Sequence, residues 1–423
     1  MRDTKELVST SRSSTANQFS SIAESFKPLY NMDGLTEENK WSWFFKNLAN
    51  LGNSRYKPYP TYSDPANNGI FKIQNDPEAL TTVAVLSDWA SDTTESRHVA
   101  AQTGTNDYTI HLGDTYYVGN EKEIMANFYP ENGGSWPYGT KGSFAMMGNH
   151  EMYSSGEAFF KKLLPKMGSY GDQPQVQQGA FFCLENDFWR IVGLDTGYQS
   201  LRGFLGLTPN ENLDLTDEQK AWLTDIVKLN ADNRGIIILS HHQCFSAFEK
   251  EFPNPAKFIA SLLPAGRDVI WLWGHEHWFS VYGANKLDNG ANVFGRCIGN
   301  SGMPVELKDS GENPKLPKSE AIGDPANRNL VLYDNRLREY IDATIPLGHN
   351  GYNILNLQGP KVTISYYDDN DMQPQSRKVL EEVWSIDTTT GKLTGESITD
   401  FTLASNFPFN LFSDDLSLAI KAV

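Results

Sequence analysis

Between about residue 80 and residue 302 one pattern recurs: a short, nearly uninterrupted apolar run that breaks abruptly into a polar loop. The runs are Val83-Ala84-Val85-Leu86, Tyr108-Thr109-Ile110-His111-Leu112, Ser143-Phe144-Ala145-Met146-Met147, Ile236-Ile237-Ile238-Leu239 and Val269-Ile270-Trp271-Leu272-Trp273. Runs this short predict strands, and their near-continuous apolar character predicts sheets covered on both faces. Helical patterns lie between several of them. The clearest begins at Thr216, with Gln219 three positions on completing a capping box, and carries Trp222, Leu223, Ile226 and Val227 on one side. Strands alternating with helices predict an α/β body.

The flanks read differently. Residues 1–75 combine a Ser/Thr-rich start, an aromatic stretch and a Pro/Tyr/Asn-rich link, with Trp41, Phe44, Leu48 and Leu51 at helical spacing after Thr36-Glu37-Glu38 and Gly52 as a stop. This predicts an N-terminal helical extension docked on a larger body. Residues 303–350 are rich in charge, Pro and Gly, which predicts a long insertion acting as a flap over a nearby site, since long loops in compact domains are usually functional. The stretch 352–400 reads as strands separated by turns. The expected organisation is thus an extension (1–75), a core (76–302), an insertion (303–350), and C-terminal strands with a tail (351–423).

Charge narrows the partners. With 52 acidic and 36 basic side chains the formal charge is −16, which disfavours binding to a nucleic-acid backbone. No apolar run approaches the ~20 residues that span a bilayer. The opening Met-Arg-Asp-Thr-Lys-Glu lacks the apolar segment of a signal peptide. The expectation is a cytoplasmic chain without membrane or nucleic-acid partners; its oligomeric state is not legible. Cys183, Cys244 and Cys297 are odd in number and none lies in a C-x-x-C spacing, so neither a disulfide scaffold nor a thiolate zinc site is expected.

Candidate chemistry lies in the polar loop that closes each strand: Ser87-Asp88-Trp89, Gly113-Asp114-Thr115-Tyr116-Tyr117, Gly148-Asn149-His150-Glu151, Ser240-His241-His242 and Gly274-His275-Glu276-His277. In open α/β sheets such carboxyl-end loops converge on the ligand site. Five of the eight histidines, His150, His241, His242, His275 and His277, sit in them; His98, His111 and His349 read as packing or surface residues. Oxygen and imidazole donors without thiolates suit zinc, iron and manganese. The donors outnumber the needs of one ion, so two ions sharing a bridging carboxylate is the economical reading. Neither a G-x-S-x-G elbow nor a P-loop is present.

The order and types of these residues, over about residues 81–302, resemble the calcineurin-like metallophosphoesterases. Gly113-Asp114-Thr115-Tyr116-Tyr117 together with Ser87-Asp88-Trp89-Ala90 is most similar to the purple acid phosphatases. Ala90 stands where most relatives carry a ligand histidine, Ser87 and Ala90 replace usual glycines, and Gln243-Cys244 stands where a proline often follows. The resemblance implies a four-layer α/β/β/α sandwich. It implies that Asp88, Asp114, Tyr117 and His277 hold Fe(III), and that Asp114, Asn149, His241 and His275 hold a divalent ion (Fe, Zn or Mn), with Asp114 bridging. Tyr116, facing the opposite way if the segment is extended, is expected to pack into the protein. His150 is expected to neutralise phosphate oxygens or protonate the leaving group, oriented by Glu151, and His242 to assist or to orient His241. The activity implied is acid-phosphatase-like hydrolysis of phosphate monoesters, on a phosphorylated small molecule or a phosphoprotein, by attack of metal-bound hydroxide. The alternatives are a Mn or Zn phosphodiesterase or nucleotide hydrolase of the same superfamily and a catalytically silent metal-binding scaffold.

Overall fold

In the computed structural model, which describes residues 55–202, 208–307, 317–319, 324–338 and 347–397, the five apolar runs become strands of two sheets. Thr81–Leu86, Tyr108–His111 and Gly142–Ala145 run parallel, side by side, in a nine-stranded sheet. Gly235–Ser240 and Asp268–Trp273 are parallel neighbours in an eight-stranded sheet.

Why these strands lack polar alternation is visible in what each face meets. Val83, Val85 and Ile110 of one sheet share a core with Ile237, Leu239, Ile270 and Leu272 of the other. The residues between them point outward. Ala84 and Leu86 pack with Val99, Ala100, Ile124 and Phe128 from the helices Thr94–Thr103 and Glu121–Phe128. Ile236, Ile238, Val269 and Trp271 pack with Trp222, Leu223 and Ile259 from the helical segments Asp217–Trp222, Leu223–Val227 and Asn254–Leu262. Both faces are therefore dry, each buried Val, Leu or Ile contributing about 1.5–3 kcal/mol, and the layers stack helix, sheet, sheet, helix.

The segment 351–397 forms four antiparallel strands, Gly351–Gln358, Lys361–Asp368, Arg377–Asp387 and Lys392–Ser397, added to Thr81–Leu86 so that they extend the nine-stranded sheet. Across the core Arg296 of the eight-stranded sheet meets Glu382 of the nine-stranded one, with Nη2 2.7 Å from Oε1 and Nε 3.0 Å from Oε2.

Three sequence expectations need adjustment. Within 303–350 the apolar Leu330–Tyr333 is an edge strand paired antiparallel with Phe279–Lys286, because its four side chains find buried places there. Residues 308–316, 320–323 and 339–346, where a flap would lie, and the expected helix around Trp41, Phe44, Leu48 and Leu51 fall outside the described residues. At Thr216 the hydroxyl caps the helix by accepting from Gln219 N at 3.2 Å. The Gln219 side chain, however, does not close a box: it bonds the main-chain N and O of Asp195 at 2.7 and 3.0 Å. Beyond Trp222 the helix widens, Lys228 N reaching back five residues to Leu223 O. That turns Ile226 outward, to 42% exposure, while Trp222, Leu223 and Val227 stay buried.

Candidate metal centre

Because the site strands are parallel within each sheet, their carboxyl ends deliver their loops to one edge. The loops there are braced against one another. Asp88 N donates to Gly113 O at 3.2 Å, and His275 N to Asp88 Oδ2 at 2.9 Å. His150 N donates to Asp114 Oδ1 at 2.9 Å. Glu151, expected to orient His150, instead accepts from Asp114 N at 3.2 Å and Gly148 N at 2.8 Å. Asp88, Asp114 and His275 all take left-handed backbone conformations, with φ of 56°, 70° and 67°. Non-glycine residues hold such conformations only where the surroundings over-determine them, and these cluster at functional sites.

The ligating atoms of Asp88, Asp114 and His241 lie within 4.8 Å of one another, as do those of His241, His242 and His275. His241 Nε2 is 3.3 Å from Asp114 Oδ2 and 3.1 Å from Asn149 Oδ1, while Nδ1 faces the Leu112 carbonyl at 3.2 Å. A carbonyl only accepts, so Nδ1 carries a proton and Nε2 is the nitrogen turned to the carboxylate. His277 Nε2 lies 3.5 Å from Asp88 Oδ1. His150 Nδ1 donates to the Tyr117 carbonyl at 2.7 Å, and its Nε2 stands 3.8 Å from Asp114 Oδ2. The structure thus brings together Asp88, Asp114, Asn149, His150, His241, His242, His275 and His277.

Tyr117 is the exception. The phenol that reaches the carboxylates belongs to Tyr116, whose Oη lies 2.8 Å from Asp88 Oδ1, 3.1 Å from Asp114 Oδ2 and 2.9 Å from His277 Nε2. Tyr117 meets the centre through its main chain: its carbonyl holds His150 and its N–H donates to Glu123 Oε1 at 2.6 Å. The expectation for Tyr117 assumed an extended segment. The left-handed Asp114 and the return of Tyr116 N to Ala90 O, at 2.9 Å, break the strand alternation and turn the Tyr116 ring inward.

Residues 81–279 match the family model for calcineurin-like phosphoesterases. That stretch of the chain is similar to the calcineurin-like phosphoesterases. No curated protein matches the sequence. Solved structures with a similar course of the chain include a purple acid phosphatase, PPD1, from yellow lupin (Lupinus luteus) seeds, with 12% identity, a TM-score of 0.45, and coverage of 74% of this chain and 55% of that one. The chain therefore spans little more than half of the lupin protein. PhoD shares 12% identity at a TM-score of 0.47, covering 77% of this chain and 73% of its own. GAP50, the anchor in the inner membrane complex of Plasmodium, shares 11% at 0.44, covering 80% and 98%. No helix among the described residues is long and apolar enough to cross a membrane.

The centre fits a pair of cations in its donor chemistry. Asp88 and Asp114 are 0% and 1% exposed, and two carboxylates buried this closely need positive charge beside them. Burial alone would raise both. His277 and His241 nevertheless hold Asp88 below the ordinary carboxylate range, and His241 and His150 hold Asp114 well below it. Burial works against charge on His241 too, yet Asp114 pushes it up to about 9. Burial takes His275 down to about 3, lowers His150, and takes His242 well down. For Tyr116 burial, then Asp114 and Asp88, raise the phenol, so it serves as a donor to the carboxylates. Two carboxylates, an amide oxygen, a phenol and several imidazoles, that of His241 held at Nδ1 by the Leu112 carbonyl, form a donor set that suits two ions.

One contributor escaped the sequence reading. Trp189–Leu194 is a sixth strand ending at this edge, and Thr196, two residues beyond it, contacts His242. The signal, the apolar Ile191-Val192-Gly193-Leu194 closing on Asp195-Thr196-Gly197, is the same as at the other five loops.

Proposed function

We propose that this chain is a binuclear metal phosphoesterase hydrolysing phosphate monoesters, of a small molecule or a phosphoprotein. The observation that carries the reading is the position of Asp114: one oxygen faces His241 on one side and the Tyr116 phenol, shared with Asp88 and His277, on the other. That arrangement suits a shared ligand. Asp88, Asp114, Tyr116 and His277 would hold a trivalent iron, and Asp114, Asn149, His241 and His275 a divalent Fe, Zn or Mn ion. Such a pair supplies acidified water and neutralises charge on the phosphoryl group.

The chain's own residues do the remainder. Asp88 and Asp114 are fixed by main-chain donors on neighbouring loops, so little is reorganised when a dianionic substrate arrives. With Nδ1 of His150 committed to the Tyr117 carbonyl, Nε2 is the nitrogen left to face the substrate; it gives a proton to the departing alkoxide or donates to a phosphoryl oxygen only from the protonated ring, a form that burial opposes and Asp114 favours.

The test pairs metal analysis with turnover of aryl and alkyl phosphates, in the wild type and Asp114→Asn. One substitution weakening two coordination spheres should lower both metal occupancies and reduce activity by orders of magnitude. Full occupancy with near-normal turnover would sink the proposal.

A further inference from the structure

The 195–198 turn belongs to none of the five loops, yet it reaches the centre. Trp189–Leu194 runs parallel to Gly235–Ser240, so the turn opens beside His241 and His242. Thr196 Oγ1 lies 3.0 Å from the main-chain N of His242 and 3.1 Å from its Nδ1. Both residues are buried, at 1% and 4% exposure.

The hydroxyl is held in a rigid frame. Asp195 Oδ1 accepts from the N–H groups of Gly197 and Tyr198, both at 2.9 Å. Tyr59 Oη donates to Asp195 Oδ2 at 2.7 Å, and Gln219 clamps the Asp195 main chain at both its N–H and its carbonyl. Gly197 lies so close to the loop carrying Asn149 that a Cβ there would fall 2.5 Å from the carbonyl oxygens of Met147 and Gly148. Only glycine permits that approach. The turn is therefore wedged between the His242 loop and the Asn149 loop.

We propose that Thr196 is a positioning residue for His242, fixing its imidazole so that Nε2 is the ring nitrogen presented toward His241 and His275. This rests on the phosphoesterase reading above for its activity measurements. The physical argument is one of counting. The His242 N–H donates to Oγ1, and the same oxygen engages Nδ1, which leaves Nε2 as the remaining nitrogen. The neighbouring rings lie on that cluster, His275 at 4.6 Å and His241 at 4.9 Å between centroids. Imidazole χ2 is broad and roughly two-fold. Once the hydroxyl is removed Nδ1 loses this partner, and a half-turn of the ring puts Cδ2 and Cε1 where Nδ1 and Nε2 stood. The single hydroxyl thus decides whether Nε2 or a ring carbon meets the centre.

The experiment uses the full-length protein with Thr196→Val, which keeps the shape and removes the hydroxyl, and Thr196→Ser, which restores it, each alone and combined with His242→Ala. Thr196→Val is expected to lower kcat on an aryl phosphate about 10–100-fold, the usual effect of losing a partner behind an active-site imidazole, with little change in KM. Thr196→Ser should recover most of it, and in the His242→Ala background Thr196→Val should add less than about twofold. A wild-type kcat in Thr196→Val, a serine variant no better than valine, or fully additive losses would overturn the assignment. Should Thr196→Val not fold, Thr196→Ala takes its place. A crystal structure of the same variant separates this inference from the function. Even if the wild type hydrolyses no phosphate ester, a rotated or doubled His242 ring upholds the positioning role, and an unchanged ring refutes it.

Discussion

Tyr116 Oη lies within 3.1 Å of Asp88, Asp114 and His277 at once, so its loss should be felt across the Asp88 and His277 side of the centre. In iron-loaded protein a phenolate ligand gives a visible charge-transfer band; Tyr116→Phe should abolish it and Tyr117→Phe should spare it. A band that vanishes only in Tyr117→Phe would return the ligand to the residue that spacing favoured. His150 presents a different case, since it touches Asp114 through its main-chain N and keeps Nε2 3.8 Å from the carboxylate. His150→Ala should therefore leave both metals bound and depress kcat by about 10²–10⁴-fold, the span of a positioned proton donor. Aryl esters, whose leaving groups need no proton, should lose less than alkyl esters. Equal losses would point to a purely electrostatic role.

Among the elements, the loops matter more for where they cross than for what they are. Gly148 closes the Gly142–Ala145 strand with an ordinary negative φ, so its glycine character answers a need for space: a Cβ would fall 2.0 Å from Asp114 Oδ1. Gly148→Ala should displace the shared carboxylate, and metal titration by calorimetry should show weakened affinity at both positions. The helical turn Asn149–Met152 should persist, because Glu151 still accepts from the Asp114 and residue-148 N–H groups. Retained affinity at both positions would mean that the loop gives way at no cost to the site.

At the level of the whole molecule the two sheets meet, among the described residues, through apolar contact and a buried ionic tie. Arg296 and Glu382 are fully buried, and Glu382 also accepts from Tyr366 Oη at 3.1 Å. Arg296→Met should cost about 3–5 kcal/mol in urea unfolding, because it strands a buried carboxylate. Combining it with Glu382→Leu should recover much of the loss, since a dry core tolerates an apolar pair better than half an ion pair. If the double variant is as unstable as the single one, the tie is held by its other contacts, such as Arg296 Nη1 to the Tyr282 carbonyl at 2.6 Å.

The sequence by itself determined the five apolar strands, the alternation with helices, and the loops that bear Asp88, Asp114, Asn149, His150, His241, His242, His275 and His277. These were legible because burial on both faces leaves an unbroken apolar signature, and because a loop that must supply ligands departs from it abruptly. The tertiary structure decided what depends on direction. Tyr116 and Tyr117 are chemically alike and adjacent, so no pattern along the chain separates them; the left-handed Asp114 and the bond from Tyr116 N to Ala90 O do. Gln219 has the right spacing for a capping box, but an amide side chain takes whichever partners lie in reach, and here those belong to Asp195. Thr196 carries no charge, binds through one hydroxyl, and lies 46 residues from His242. Only the parallel pairing of Trp189–Leu194 with Gly235–Ser240 brings the two together.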